Sequence, residues 1–369
     1  MFVPAKYAML LRRILFAPFT LLLGIVLHMR HGLYDSGILK RTRPAVPTIA
    51  IGNLALGGTG KTPMLELVLR ILNGLAPLAT LSRGYGRIGT DVHEVMPDDL
   101  ATRSGDEPVQ VKVKFPSVRV FVGADRVMAV HHIQEQVQGV KAVVMDDALQ
   151  HRSLDAGMNI LLTTWQRPYC DDALVPAGRL RDLRGRASMA QAVVVTKCPA
   201  LPDAASRQQW RKRLQLREEQ HLFFAGIAYE APRIVRGSEA SSSPDADSGG
   251  GLVSTTPVLL VTGIADPGPL RDHIKDWFVA VDHVAFPDHH PFRPSDLEAF
   301  AARLAKFAPG PKMLITTEKD AVRLIPLLSE CPLQDIPVAV IGMRTVILNE
   351  PERFADLIHR HVATHQAHR

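Results

Sequence analysis

Short apolar runs recur along this chain, and most of them stop at a small or acidic residue. Val46–Ile51, Leu78–Leu81, Val118–Val122, Ala142–Met145, Met158–Thr163 and Ala192–Thr196 read as strands buried on both faces. Met64–Leu72 and Asp125–Gln136 carry the helical pattern, with Asp125 placed to cap the second. A second series follows: strands at Pro257–Val261, Met313–Thr316 and Val338–Ile341, and helices at Ser295–Phe307, Ala321–Leu328 and Arg353–Val362. Strands alternating with helices predict an α/β protein with mostly parallel sheets and helices on both faces. Ligands then sit at the carboxyl ends of the strands.

The stretch 237–251, GSEASSSPDADSGGG, interrupts this pattern. It is low in complexity, cannot bury a core, and reads as a flexible linker or loop tip. The predicted organisation is therefore two α/β/α domains, 31–230 and 256–369, joined by a linker at 231–255. Ahead of them, residues 14–27 (ILFAPFTLLLGIVL) carry no charge; Arg12 and Arg13 precede them, and His28, Arg30 and His31 follow. The run is short against the roughly 20 residues that span a bilayer, and Pro18 interrupts it. No small-x-small cleavage site follows Leu27. Residues 1–30 are expected to form a helix lying in a membrane interface, its basic flanks among anionic headgroups.

At 369 residues and 46% apolar content, the chain has material for two cores. A net charge of +6 suits anionic lipid or a phosphorylated substrate. Nucleic acid is disfavoured, because no basic helix with interleaved aromatics and no RNP-like strand is present. Cys170, Cys198 and Cys331 are widely spaced, which fits a reducing compartment and argues against a disulfide framework.

The chemistry centres on Gly57-Gly58-Thr59-Gly60-Lys61-Thr62, between a predicted strand and a predicted helix. Glycines there let backbone N–H groups turn toward phosphate oxygens, and the helix start adds positive charge. Lys61 would reach the β- and γ-phosphates of ATP, and the Thr62 hydroxyl would ligate Mg²⁺. Ala55 stands where a general P-loop has its first glycine. Lys141-Ala-Val-Val-Met-Asp146-Asp147 has the form of the second NTPase signature, whose acid holds Mg²⁺ opposite the loop threonine. In Gly105-Asp106-Glu107-Pro108, Asp106 could accept a proton from an attacking hydroxyl, while Glu107 could cap a helix or touch metal. Phe286-Pro287-Asp288-His289-His290 suggests proton handling. Arg83, Arg126, Arg179 and Arg181 could each brace phosphate.

Taken together, GGTGKTP (57–63), SRGYG (82–86), GDEP (105–108), DDxxQH (146–151), PAGRLRD (176–182), GIAxP (263–267) and DHH (288–290) resemble the tetraacyldisaccharide 4′-kinases of lipid A synthesis. The resemblance extends from the N-terminal apolar segment to Thr317-Glu318-Lys319-Asp320-Ala321. It implies a peripheral enzyme of the cytoplasmic face of the inner membrane in Gram-negative bacteria. Such an enzyme moves the ATP γ-phosphate to the 4′-hydroxyl of a tetraacylated glucosamine disaccharide 1-phosphate, with no obligate protein partner. It further implies Lys61, Asp106 and His289 as catalytic residues, and Thr62, Asp146, Asp147 and Glu107 around the metal. His289 is a better match than His290, because the position after Asp-His varies in the family. Ala148 departs from a glycine common there, and Asp182 from a commoner glutamate. The alternative is a P-loop NTPase switch or metallochaperone-type GTPase acting on a protein partner.

Overall fold

The structure is a computed structural model, and it describes residues 14–237, 255–288 and 290–367. Its first half runs α1 (Ala17–Asp35), β1 (Thr48–Asn53), α2 (Lys61–Ile71), β2 (Leu78–Ser82), β3 (His93–Glu94), α3 (Ala101–Ser104), α4 (Asp106–Lys114), β4 (Arg119–Val122), α5 (Arg126–Gln136), β5 (Ala142–Asp146), β6 (Met158–Thr164), β7 (Ala192–Thr196), α6 (Ala204–Arg213), β8 (His221–Tyr229) and β9 (Arg233–Arg236). The second half runs β10 (Val258–Thr262), α7 (Gly268–Ile274), β11 (Val281–Ala285), α8 (Pro294–Leu304), β12 (Met313–Thr317), α9 (Glu318–Leu324), β13 (Val338–Ile341), β14 (Met343–Ile347) and α10 (Pro351–Ala367).

The strands form two sheets, ordered β14-β8-β7-β6-β1-β5-β2-β4-β3 and β11-β10-β12-β13-β9. Pairing is parallel except at three edges: β3 on β4, β14 on β8 and β9 on β13. The expected α/β architecture with mostly parallel sheets is the one observed. The reason the strands read as unbroken apolar runs is burial on both faces. Ile49, Ile51, Val144, Ile160 and Leu162 pack toward α2, through Met64, Leu65 and Val68. Ala50, Val143 and Met145 face the other way, toward Ala129, Val130 and Ile133 of α5. Asp125 caps α5 as its sequence position suggests, accepting from the Val127 and Met128 amides. The second sheet packs Leu259, Val261 and Leu314 against Leu297, Phe300 and Leu304 of α8, and Leu260 and Ile315 against Leu270 and Ile274 of α7.

Two strands cross between the halves, and they revise the boundaries expected from sequence. Residues 233–236, assigned above to the linker, form β9 at the edge of the second sheet. Residues 343–367, assigned above to the second domain, return to the first: β14 pairs with β8, and α10 lies on the first core. The physical reason is in the pattern of α10. Phe354, Ile358 and Val362 recur at four-residue spacing on one face, and all three are buried in the first core, with Phe354 edge-on to Phe223 at 5.0 Å. Apart from Gly237, the low-complexity stretch lies outside the described residues.

The carboxyl ends of β1, β5, β6 and β7 point the same way, because these strands are mutually parallel. That edge carries Asn53, Asp146, Thr164 and Thr196. Trimming Phe354 to Ala should destabilise the first domain by about 3–5 kcal/mol, the usual cost of emptying a buried aromatic site. Denaturant unfolding followed through the first core checks this; a loss confined to the second domain would contradict the placement of α10.

Candidate active site

The loop from Asn53 to Gly60 is held by its neighbours before any ligand arrives. The Asn53 amide donates to Thr59 Oγ1 at 2.9 Å, and the Thr196 hydroxyl donates to the Thr59 carbonyl at 2.8 Å. Gly57 and Gly60 sit at φ 112° and 83°, which L side chains rarely adopt. Gly60 is the N-cap of α2, and no side chain caps the helix. Its free N–H groups therefore open onto the loop. Ala55 is tolerated because that part of the loop is a short antiparallel ladder: Ala55 bridges Leu180, and the Leu56 amide bonds the Arg179 carbonyl at 2.8 Å.

Lys61 opens α2, and its ammonium lies 3.9 Å from Asp147. Asp147 also takes the Arg181 guanidinium, with one contact at 2.7 Å. Burial pushes its carboxyl up, but the Arg181 pair and the Lys61 charge outweigh burial and hold it below the usual carboxylate range. Asp146 differs. Burial, with the nearby Glu107 charge, pushes it up to about 7 despite Lys61 and Arg126. Its Oδ1 is buried and has no hydrogen-bond partner among the described residues. A hard oxygen donor left in this state at a strand end, beside a second carboxylate, fits a divalent cation. The left-handed backbone at this strand end falls on Asp147 (φ 51°), so Ala148 needs no glycine geometry.

Asp106 begins α4. Its Oδ1 accepts the Glu107 amide at 3.0 Å, and its Oδ2 lies 3.6 Å from Arg323 Nη1 of α9. Gly105 before it has φ 91°, and a Cβ there would sit 3.1 Å from Gly84 Cα. The SRGYG and GDEP segments are thus pressed backbone to backbone. Glu107 pairs with Lys319 at 3.6 Å, and Lys319 with Asp288 at 3.0 Å. The second domain also touches the loop itself: a Cβ on Gly58 would meet Ala265 at 3.8 Å. Lys61, Asp146, Asp147 and Glu107 therefore lie close together, with Asp106 next to Glu107 and Thr62 next to Lys61 in α2. His289 lies outside the described residues. His290 is turned away, stacked on Phe286 and bonded to Asp296 at 2.9 Å.

Of the four arginines singled out in the sequence, Arg181 bonds Asp147, and Arg179 bonds Asp172 at 2.8 Å. Arg126 is fully buried, and its Nε and Nη2 have no partner among the described residues. Its charge faces Asp146 and Asp147, and with Arg83 it helps burial hold His151 down to about 4.

Residues 12–363 match the family described as tetraacyldisaccharide-1-P 4′-kinase. A tetraacyldisaccharide 4′-kinase from Bacteroides thetaiotaomicron is 39% identical over 319 residues, covering 85% of this chain and 84% of that one. One from Parabacteroides distasonis is 35% identical over 360 residues, covering 95% of both. This chain belongs to the tetraacyldisaccharide 1-phosphate 4′-kinase family. The fold agrees: a crystal structure of LpxK from Aquifex aeolicus, in complex with ATP, superposes with a TM-score of 0.71 at 24% identity, covering 95% of this chain and 99% of that one.

Within this family framework, Asp182 acquires a place. It is buried against His31 of α1, with Nε2 2.6 Å from its carboxylate, while Arg152 approaches His31 Nδ1 at 3.1 Å. Burial holds the His31 pKa below its ordinary value in spite of Asp182. The histidine is therefore neutral, donating from Nε2 and accepting at Nδ1. This corrects one expectation. His31 is buried and does not belong to a headgroup-facing flank, and its neighbour Arg30 bonds the Gln150 carbonyl at 3.1 Å. Asn53, Thr196 and Arg323 were not anticipated as site residues. Asn53 leaves a trace in sequence, a polar residue between a buried strand and the glycines, whereas Arg323 leaves none.

With Asp146 raised to about 7 in the folded chain, the folded state binds more protons than the unfolded one between about pH 4 and 7. Metal-free stability should therefore fall as pH rises through that window, and Asp146→Asn should flatten the fall. Thermal unfolding in chelator across that pH range measures it.

Proposed function

We propose that this chain transfers the γ-phosphate of ATP to the 4′-hydroxyl of a tetraacylated glucosamine disaccharide 1-phosphate, at the cytoplasmic face of a bacterial inner membrane. The observation that carries the reading is the convergence, in a member of this kinase family, of Lys61 with Asp146 and Asp147 beside a glycine loop that opens a helix.

The nucleotide's phosphates lie along Gly57, Gly58, Thr59 and Gly60, whose amides and helix start favour negative charge. Lys61 moves from Asp147 toward the transferred phosphoryl group, and Arg181 keeps Asp147 ionised when it does. Thr62, Asp146 and Asp147, with Glu107 close by, would hold Mg²⁺, which would supply positive charge against the phosphates. Asp106 orients the 4′-hydroxyl and takes its proton. The Glu107 amide already fixes one of its oxygens. His289 is assigned to steady Asp106 across the cleft between domains. Most of the rate enhancement comes from positioning and charge, since phosphoryl transfer asks little covalent work of the protein.

Docking on the membrane falls to α1. Leu27 and His31 are its buried positions, and Phe19, Leu21, Leu22, Ile25, Val26 and Met29 are exposed. No helix among the described residues is long and apolar enough to cross a membrane. An apolar face of this kind, on a helix bolted to the body by His31, suits shallow insertion beside the substrate's acyl chains.

Incubation of the full chain with labelled ATP and a tetraacyl disaccharide 1-phosphate in detergent tests the reading. Label should move to the lipid with Mg²⁺ and not with EDTA. Release of labelled phosphate without labelled lipid would instead indicate a nucleotide-hydrolysing switch. Lys61→Ala should remove most turnover, and Asp106→Ala should lower kcat by about 10²–10⁴-fold, the range for a lost general base. A raised KM with unchanged kcat would make Asp106 a binding residue. Leu22→Glu with Ile25→Glu should weaken co-sedimentation with anionic vesicles; unchanged binding would refute the docking role of α1.

A further inference from the structure

The two helices that meet across the domain seam carry opposite charge in register. Helix α4 begins with Asp106 and Glu107 and ends with Lys114; α9 begins with Glu318 and carries Lys319 and Arg323 behind it. They pair as Lys114–Glu318 at 2.5 Å, Lys319–Glu107 at 3.6 Å and Arg323–Asp106 at 3.6 Å. Lys114 also binds Glu66 of α2 at 2.9 Å, and Gln110 donates to the same carboxylate at 3.1 Å. Glu66 is 1% exposed, so this junction ties the helix after the glycine loop, the helix bearing Asp106 and the second domain at one buried point.

Arg323 is prepared more carefully than its partners. Its Nη2 donates to Asp320 Oδ1 at 2.5 Å. Asp320 is completely buried, and its other oxygen takes the Gly263 amide and the Thr317 hydroxyl, each at 2.8 Å. The guanidinium also lies over Phe292, 5.9 Å from the ring centre. Every one of these supports belongs to the second domain. Arg323 Nη1, however, is buried without a hydrogen-bond partner among the described residues, and Asp106 Oδ2 lies 3.6 Å from it. A buried donor left unsatisfied is costly, and a relative shift of about half an ångström to one ångström would bring this one into bonding range.

We infer that Arg323 is a positioning residue for phosphoryl transfer: when the second domain seats fully on the first, Arg323 donates to Asp106 Oδ2 and fixes the plane of that carboxylate toward the acceptor hydroxyl. The inference rests on the reading of Asp106 as the base. Domain closure then completes the base as well as covering the nucleotide, because the donor and its scaffold travel with the second domain. The orientation of a general base matters at this scale, since misplacement of about 1 Å can cost as much as 10²-fold in rate.

A double-mutant cycle on the full-length chain tests this, with lipid phosphorylation as the readout and thermal unfolding as the control. Arg323→Met should lower kcat about 10- to 100-fold, with KM for ATP and for lipid within about twofold. If Arg323 acts through Asp106, the Asp106→Asn Arg323→Met double variant should be no slower than Asp106→Asn alone. A double variant that loses the product of the two single effects overturns the inference, as does Arg323→Met with wild-type kcat while Asp106→Asn is crippled. If Asp106→Asn itself keeps near wild-type kcat, the base assignment has failed, and the inference falls with it. Arg323→Lys is run through the same cycle; it keeps a cation against Asp320 should the methionine variant not fold, and it should recover part of the lost kcat.

Discussion

Four carboxylates gathered near one strand end govern the arrangement of this molecule. Asp146 and Asp147 end β5, and Asp106 and Glu107 open α4 close by. Like charges in a buried place repel strongly, and the consequence is visible: Asp146 is driven toward its neutral form, chiefly by burial and then by Glu107. Cations come from every side to offset it. Lys61 arrives from the glycine loop, Arg181 from the segment after β6, Arg126 from below and Lys319 and Arg323 from the second domain. The carboxylates are thus held together by a surrounding set of cations, with Asp146 driven toward its neutral form.

That constraint explains why the second domain is attached as it is. Part of its contribution to the site is a set of charges on one short helix, and these need a seam that brings them to α4 reproducibly. The exchange of β9 and β14 between sheets supplies it. Each sheet holds an edge strand from the other half of the chain, so the halves are joined through backbone ladders as well as side-chain pairs.

The first domain makes a similar use of neighbouring residues. Arg181 holds Asp147 and the Asn53 side chain, and Asp182, the next residue, holds His31 of α1. A helix with an exposed apolar face is thereby fastened to the same short segment that braces the glycine loop. The neutral histidine suits this junction, because Arg152 and Asp182 each find a ring nitrogen of the right polarity without a net charge being buried.

Much of this was legible in the chain. Buried strands announce themselves when both faces are covered, so β5, β6, β7 and β13 were found to within a residue, and β1 to within two. Glycines and paired acids at the ends of such strands marked the candidate site. Edge strands were not legible: β9 is short and only partly buried, β14 alternates buried and exposed positions, and their partners lie far away in sequence. The helix α10 was visible, but its attachment was not, since an amphipathic stripe states that a face is buried and not against what. The sequence by itself determined the α/β class, the glycine loop, the acids around it and the family, because these depend on local patterns and on the order of motifs. Only the tertiary structure decided that β14 and α10 rejoin the first domain, that His31 faces Asp182, and that Arg323 stands opposite Asp106. Each of those depends on contacts between residues distant in the chain, whose geometry no local pattern encodes.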